Sequence, residues 1–212
     1  MKIEVWSDYV CPFCYIGKRK LENALKETGL DDRAEVVYKS FQLDPTTPET
    51  SEHTMASAVA EKYGISLEQA EASNANIAAA AKEVGLDYDF DSMRPGNTFN
   101  AHRLAKWAEE QGKGAELTEN LLHAYFTEGR SIGLKDVLAD IAEETGLDRA
   151  EAAAVLESDR YAGDVRGDIG EAAAIGVRGV PFFVLNRKYA ISGAQPDELF
   201  RSALEKAVSE EQ

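Results

Sequence analysis

Cys11 and Cys14 are the only cysteines in the 212-residue chain, and Pro12 and Phe13 separate them. The pair follows an apolar, strand-like run that ends at Trp6, and it opens a run with helical periodicity. A CxxC pair next to a strand–helix junction is typical of dithiols that exchange electrons with another dithiol or a disulfide. The spacing therefore predicts a redox site.

The predicted helix start gives the two thiols different chemistry. Unpaired backbone N–H groups and the positive end of the helix dipole favour the thiolate of Cys11, which is the expected nucleophile. Cys14 lies about one turn further along the same helix face. We expect it to be less exposed and to resolve a mixed disulfide on Cys11. A carboxylate at Asp8 opposes thiolate formation, and the sequence leaves open which effect dominates.

An inert buried pair and a metal site are the alternatives for these cysteines. Zinc takes four protein ligands in its structural sites. Besides the two thiols the chain offers His53, His102 and His123, without a second CxxC or an HxxxH motif. Such a site would need ligands from distant parts of the chain, so we predict no metal site.

Pro181 opens a strand-like run late in the chain. Proline is tolerated at the first position of a strand without any special role. Its place in Gly179-Val180-Pro181, just before a predicted hairpin, also favours a cis Val180–Pro181 peptide bond. The backbone of Val180 would then face Cys11 and could pair with an extended substrate segment.

The elements that must position these residues follow the order β, α, β, a long helical block, α, β, β, α. We predict an α/β fold in which residues 1–44 and 170–212 form one discontinuous domain, a mixed sheet flanked by helices. Residues 45–169 are then an all-helical insertion, since the two sheet-forming parts are too short to bury separate cores. Within the insertion, Ser66 and Thr118 have the spacing of capping-box residues.

The bulk composition limits the partners and the compartment. A formal net charge of −15 disfavours nucleic acids and anionic membranes, which are bound by cationic patches. No apolar run approaches the roughly 20 residues of a membrane span. Glu4, Ser7 and Asp8 interrupt any secretory apolar segment near the start. We expect a cytoplasmic protein whose dithiol is reduced at rest.

Three segments make the chain resemble the DsbA superfamily of thioredoxin-fold proteins, most closely its cytoplasmic FrnE-like branch. They are VWSDYVCPFCYIGK, NTFNAHRLAKWA and GVRGVPFFVLN followed by ISGAQP. The resemblance implies a thioredoxin-like fold with a large helical insertion. It implies a protein disulfide oxidoreductase, with reductase or isomerase variants of that activity, in which Cys11 attacks, Cys14 resolves and Pro181 is cis. Pro12 and Phe13 would tune the redox potential.

The resemblance also implies contacts with the substrate. The expected contacts are Val180, Phe182, Asn100 and His102. Asn100 and His102 begin a helix of the insertion that would face the active site; the alternative is an ordinary solvated helix start capped by Asn97. Three aromatic side chains either form an apolar lip around the thiols or belong to the core: Trp6, Phe13 and Phe182.

Three functions remain open for the dithiol. The first is disulfide exchange with protein or low-molecular-weight thiols, followed by regeneration by a redox recycling partner. The second resembles kappa-class glutathione transferases and 2-hydroxychromene-2-carboxylate isomerases, which typically carry serine in place of Cys11 and lack the second cysteine. The third is a redox-sensing interaction protein. We expect no bound cofactor, with glutathione entering only as a co-substrate.

Overall fold

The computed structural model describes residues 1–210. Its strands are β1 (Lys2–Ser7), β2 (Glu35–Ser40), β3 (Phe182–Leu185) and β4 (Tyr189–Ser192). Its helices are α1 (Pro12–Glu27), α2 (Met55–Tyr63), α3 (Leu67–Glu83), α4 (Phe99–Glu110), α5 (Gly114–Phe126), α6 (Lys135–Glu144), α7 (Arg149–Glu157), α8 (Ala162–Ala174) and α9 (Asp197–Ser209). The predicted order of elements is confirmed.

The four strands form one mixed sheet in the order β2-β1-β3-β4. β1 is parallel to β2, with α1 as the crossover between them, and antiparallel to β3. β3 and β4 form an antiparallel hairpin. At the centre of β1, Val5 lies opposite Tyr38 on one side and Phe183 on the other. This is the predicted thioredoxin-like fold with its helical insertion.

The chain divides into two compact units, of which the first is Met1–Leu43 together with the chain from Gly167 onward. Because side chains alternate along a strand, β1 presents Ile3 and Val5 to one face and Trp6 to the other. Residues of α1 and α9 pack on the first face. Ala172 of α8 packs against Trp6 on the opposite face. The sheet is therefore apolar on both faces, and β1 is buried between them.

A tight turn joins β3 to β4 and is tied back to the sheet. Asn186 and Arg187 both have positive φ, at 49° and 56°, as type I′ hairpin turns require. The guanidinium of Arg187 forms ion pairs with the buried carboxylate of Glu4 and with Glu171 of α8, the latter at 2.7 Å. These contacts fix the far end of the hairpin to β1 and α8.

The second unit, Asp44–Arg166, is helical. Its core is formed by buried residues of α4 to α7, among them Leu104, Leu121, Ile141 and Val155. α2 and α3 pack against each other, and the predicted cap of α3 is present: Ser66 and Gln69 form a capping box. The prediction for Thr118 is wrong, since this residue lies inside α5 and is buried.

The boundaries between the units fall at 43/44 and 166/167, compared with predicted boundaries at 44/45 and 169/170. The second of these lies within α8, which runs without a break from Ala162 to Ala174. Among residues 1–210, no helix combines the length and the apolarity that crossing a bilayer would require.

Candidate redox active site

A short turn carries the chain from β1 into α1 and places Cys11 at the helix start. The backbone N–H of Cys11 donates to the carbonyl of Asp8 at 3.1 Å, which closes a four-residue turn. Cys11 is the N-cap, in an extended conformation with φ −89° and ψ 111°, and Pro12 follows at the first helical position. The Cys11 side chain makes no capping hydrogen bond to a described residue. Its sulfur therefore sits at the positive end of α1, as predicted.

Both cysteines are free thiols, and both are nearly covered. Cys11 is 4% exposed and Cys14 is 3% exposed, so the expected difference in exposure between them is almost absent. The Cys11 thiol donates to the backbone carbonyl of Val180, with a sulfur–oxygen distance of 3.5 Å. Cys11 is thus shielded on the side of the Val180–Pro181 segment.

The surroundings of Cys14 hold its pKa well above the ordinary value of a cysteine thiol. Burial is the largest cause, because it penalises the thiolate. A hydrogen bond with Cys11 and the charge that Cys11 carries when ionised act in the same direction. The Ser7 hydroxyl and the Asp8 backbone N–H act in the opposite direction, as potential donors to the Cys14 sulfur. The thiolate of Cys14 is therefore disfavoured in the reduced protein.

The Val180–Pro181 peptide bond is cis. Pro181 is buried, and its carbonyl accepts a hydrogen bond from the Gly193 N–H at 2.8 Å. On its other side lies Gly17 of α1. A Cβ atom at Gly17 would lie 3.0 Å from Pro181 Cγ and 3.1 Å from Phe183 Cζ. The missing side chain at Gly17 is what lets α1 approach Pro181 so closely.

Gly17 was not among the residues that the sequence singled out. The available signal was a glycine in the interior of an otherwise good helix, which costs about 1 kcal/mol relative to alanine and usually has a packing reason. The packing partner lies 164 positions away in the sequence, so periodicity could not reveal it.

The burial and the hydrogen bonds of the Asp8 side chain could not be predicted from the sequence either. Its side chain is buried, with the residue only 1% exposed. One carboxylate oxygen accepts from the Tyr9 N–H at 3.0 Å and the other from the Leu43 N–H at 2.8 Å. The carboxylate therefore ties the turn before Cys11 to the segment that follows β2.

The three aromatic side chains Trp6, Phe13 and Phe182 differ in burial. Trp6 is fully buried and donates its indole N–H to the Asp168 carbonyl, so of the two predicted alternatives it belongs to the core. Phe182 is half-buried and packs on the same cluster as Trp6. Phe13, by contrast, is 45% exposed beside the two cysteines in sequence. It is the one aromatic of the three that presents a large free surface.

Asn100 and His102 lie in the first turns of α4, in the helical unit. The Asn100 side-chain oxygen accepts from Arg103, which also donates to the backbone carbonyl of Val155. His102 is buried. The proposed cap lies one residue too early: the N-cap of α4 is Thr98, while Asn97 Oδ1 accepts from the Phe99 N–H at 2.9 Å.

The structure therefore brings together Cys11, Cys14, Val180 and Pro181 in the sheet-containing unit. Within the described residues, no group of three histidine, cysteine, aspartate or glutamate side chains is arranged to hold a metal ion. The chemistry that the site can perform is that of a dithiol at a helix start, with a backbone carbonyl beside the first sulfur.

Two known proteins resemble the chain over almost its whole length. A Streptomyces coelicolor protein, SCO1869, described as a probable DsbA oxidoreductase, is 42% identical, with 99% of this chain and 91% of that chain covered and a TM-score of 0.95. YwbO of Bacillus subtilis, described as uncharacterized, is 31% identical over 99% of this chain and 96% of its own length.

A more distant structure shares the fold. DsbM from Pseudomonas aeruginosa, described as a cytosolic disulfide reductase with GSH, is 18% identical, with a TM-score of 0.67 and coverage of 99% of this chain and 100% of that one. At the level of sequence families, residues 2–205 match the DSBA-like thioredoxin domain. The chain belongs to the DsbA-like thioredoxin domain family.

Proposed function

We propose that the protein is a thiol–disulfide oxidoreductase that exchanges disulfides through the Cys11–Cys14 dithiol. The observation that carries the proposal is the placement of the Cys11 sulfur at the start of α1, 3.5 Å from the carbonyl of Val180. Helix starts stabilise thiolates, and only the thiolate attacks a disulfide. The neighbouring backbone of Val180 offers an edge along which an extended peptide can lie.

The reaction proceeds in two balanced steps. The Cys11 thiolate attacks one sulfur of the substrate disulfide, so that a mixed disulfide forms and the other substrate sulfur leaves as a thiolate, which takes up a proton. Cys14 then loses its proton and attacks the Cys11 sulfur. The Cys11–Cys14 disulfide forms, the second substrate thiol is released, and two electrons have passed from the dithiol to the substrate. The reverse sequence oxidises a substrate dithiol.

The environment of Cys14 suits the second step. In the resting protein, burial and the neighbouring Cys11 keep the pKa of Cys14 high, so the two thiols do not compete as nucleophiles. When Cys11 enters a mixed disulfide, it can no longer carry a charge. The electrostatic contribution of Cys11 to the raised pKa of Cys14 is then lost. Formation of the mixed disulfide therefore makes the resolving thiol easier to ionise.

The residues around the pair take supporting roles in this proposal. Pro12 and Phe13 set the redox potential, and the exposed ring of Phe13 contacts apolar parts of the substrate. Val180 and Phe182 contact the substrate beside Pro181. Asn100 and His102 of α4 remain proposed substrate contacts.

The proposed recycling route uses glutathione. Two glutathione molecules reduce the Cys11–Cys14 disulfide and leave as oxidised glutathione, which balances the electrons of the cycle. The shared fold of DsbM, whose structure is described with GSH, supports this choice of co-substrate. We also propose a cytoplasmic location and membership of the FrnE-like branch, which agree with the sequence motifs.

The test compares wild type, Cys11→Ser and Cys14→Ser in insulin reduction and in reactivation of scrambled ribonuclease, with glutathione as reductant. We expect turnover by wild type, none by Cys11→Ser, and a trapped mixed disulfide on Cys11 in Cys14→Ser. Equal activities of wild type and Cys11→Ser would overturn the proposal. Glutathione conjugation retained by Cys14→Ser would favour a transferase or isomerase, and partner binding that depends on the disulfide without turnover would favour a sensor.

A further inference from the structure

The buried carboxylate of Asp8 has no part in the exchange steps described above, yet it belongs to the turn that carries Cys11. Asp8 is the first residue of that turn and Cys11 is the last, so their Cα atoms lie within about 7 Å of each other. The Asp8 backbone also faces Cys14, since its N–H is a potential donor to the Cys14 sulfur. The turn that Asp8 begins is therefore adjacent to both thiols.

Two hydrogen bonds hold the carboxylate of Asp8 in place. Both oxygens accept backbone N–H groups, from Tyr9 and from Leu43. Hydrogen bonds from backbone N–H groups stabilise a carboxylate anion. Burial weakens the screening of this charge by water, so it acts on its neighbours more strongly than an exposed carboxylate would.

Other charged side chains of the sheet-containing unit are paired or lie outside this turn. The first turn of α1 carries no acidic residue. Lys18, further along α1, forms an ion pair with Glu22 at 2.5 Å. The buried carboxylate of Glu4, in the middle of β1, is paired with Arg187. Asp8 is the acidic residue within the turn that Cys11 closes.

We infer that the Asp8 carboxylate biases the Cys11–Cys14 pair towards the disulfide form, and thereby makes the dithiol a stronger reductant than it would be without this charge. A negative charge beside the dithiol destabilises its thiolate form and leaves the neutral disulfide unaffected. The reduced state is then less stable relative to the oxidised state, so the dithiol gives up its electrons more readily. The positive end of α1 opposes this effect, and Asp8 offsets it. This inference rests on the proposed function and adds a residue that biases its redox equilibrium.

The test measures the equilibrium of each variant with glutathione at pH 7. Asp8→Asn and Asp8→Ser remove the charge and keep residue types that are favoured at the first position of such a turn. Asp32→Asn is the matched control, because Asp32 is exposed and its substitution changes the net charge equally. We expect both Asp8 variants to shift the equilibrium about tenfold towards the dithiol, a reduction potential about 30 mV less negative. The control should stay at the wild-type value.

A second measurement follows the thiolate of Cys11 by its ultraviolet absorbance, in a Cys14→Ser background. Adding Asp8→Asn should lower the titration midpoint by about one pH unit, the counterpart of a tenfold stabilisation of the thiolate. Asp8 variants that match Asp32→Asn in both measurements would overturn the inference. If both variants lose the near-ultraviolet circular dichroism of the native fold, the carboxylate is only a structural tie, and the inference also fails. Failure of wild type to equilibrate with glutathione would count against the proposed function instead.

Discussion

Two helix starts in this protein are built in opposite ways. At α3, the Ser66 side chain accepts from the Gln69 N–H, and the Gln69 side chain accepts from the Ser66 N–H, so both donors are satisfied. At α1 the N-cap is Cys11, whose side chain caps no described backbone group, and Pro12 follows it. The first arrangement stabilises a helix. The second leaves the helix end available to an anion, which is what a nucleophilic thiol needs.

The largest expected effect comes from giving α1 the cap that α3 has. Cys11→Ser should abolish disulfide exchange, because the attacking sulfur is gone. It should also raise the free energy of unfolding by about 1 kcal/mol, since serine is a preferred N-cap. Exchange assays and urea unfolding of the reduced proteins measure the two effects. A variant that is both inactive and less stable than wild type would show that the Cys11 thiol contributes to the fold.

A second prediction concerns the close approach of α1 to Pro181. Gly17→Ala places a Cβ atom 3.0 Å from Pro181 Cγ, and overpacking of this kind costs about 1–3 kcal/mol. The matched control is Gly170→Ala in α8, where the added Cβ has no described atom within 4 Å outside its chain neighbours and the backbone of its own helix. The control should be stabilised by up to about 1 kcal/mol through helix propensity. If the two variants have equal unfolding free energies and exchange rates, the contact with Pro181 is unimportant.

The third prediction uses the raised pKa of Cys14 in the reduced protein. Because burial raises this pKa above its unfolded value, the unfolded chain loses the proton first as the pH increases. The free energy of unfolding therefore keeps its full value below pH about 8.5. Above that pH it falls by up to about 1.4 kcal/mol per pH unit. Urea unfolding of wild type and Cys14→Ser between pH 7 and 10 measures the difference. If the unfolding free energies of wild type and Cys14→Ser change with pH in the same way, the raised pKa of Cys14 is contradicted.

The smallest effect is expected at α3. Ser66→Ala removes the cap and should cost about 1 kcal/mol of unfolding free energy, with no change in disulfide exchange. Gln69→Ala removes the other half of the capping box and serves as the comparison. A change in exchange activity on Ser66→Ala would mean that the two helix starts are not independent.

Patterns among neighbouring residues were sufficient to predict the dithiol and the helix that begins at it. They were not sufficient to predict which distant residues cover the two thiols. The CxxC spacing, the helix start at Pro12 and the strand before it depend on neighbouring residues, and the sequence predicted them. The Ser66 capping box was predicted for the same reason. Thr118 was predicted to begin a helix in the same way and instead lies inside α5. The residue three positions after it is Leu121, so Thr118 lacks the Glu or Gln that completes a capping box.

Burial was the harder property to predict. Cys11 is as well covered as Cys14, because the carbonyl of Val180 lies against its sulfur. Trp6 is in the core because β1 is covered on both faces, so an aromatic near the thiols in sequence does not line them in space. Each of these outcomes depends on residues more than 150 positions away. Periodicity cannot supply such contacts.

The order of strands in the sheet has a consequence for synthesis on the ribosome. β1 lies between β2 and β3, and β3 begins 142 positions after β2 ends, from Ser40 to Phe182. At about 5–20 residues per second, roughly 7–28 s of translation separate the two strands. During that interval one edge of β1 is unpaired, and Cys11 and Cys14 lack the Val180 segment that covers them. The nascent chain therefore presents an open strand edge and two accessible thiols to chaperones and oxidants before the sheet can close.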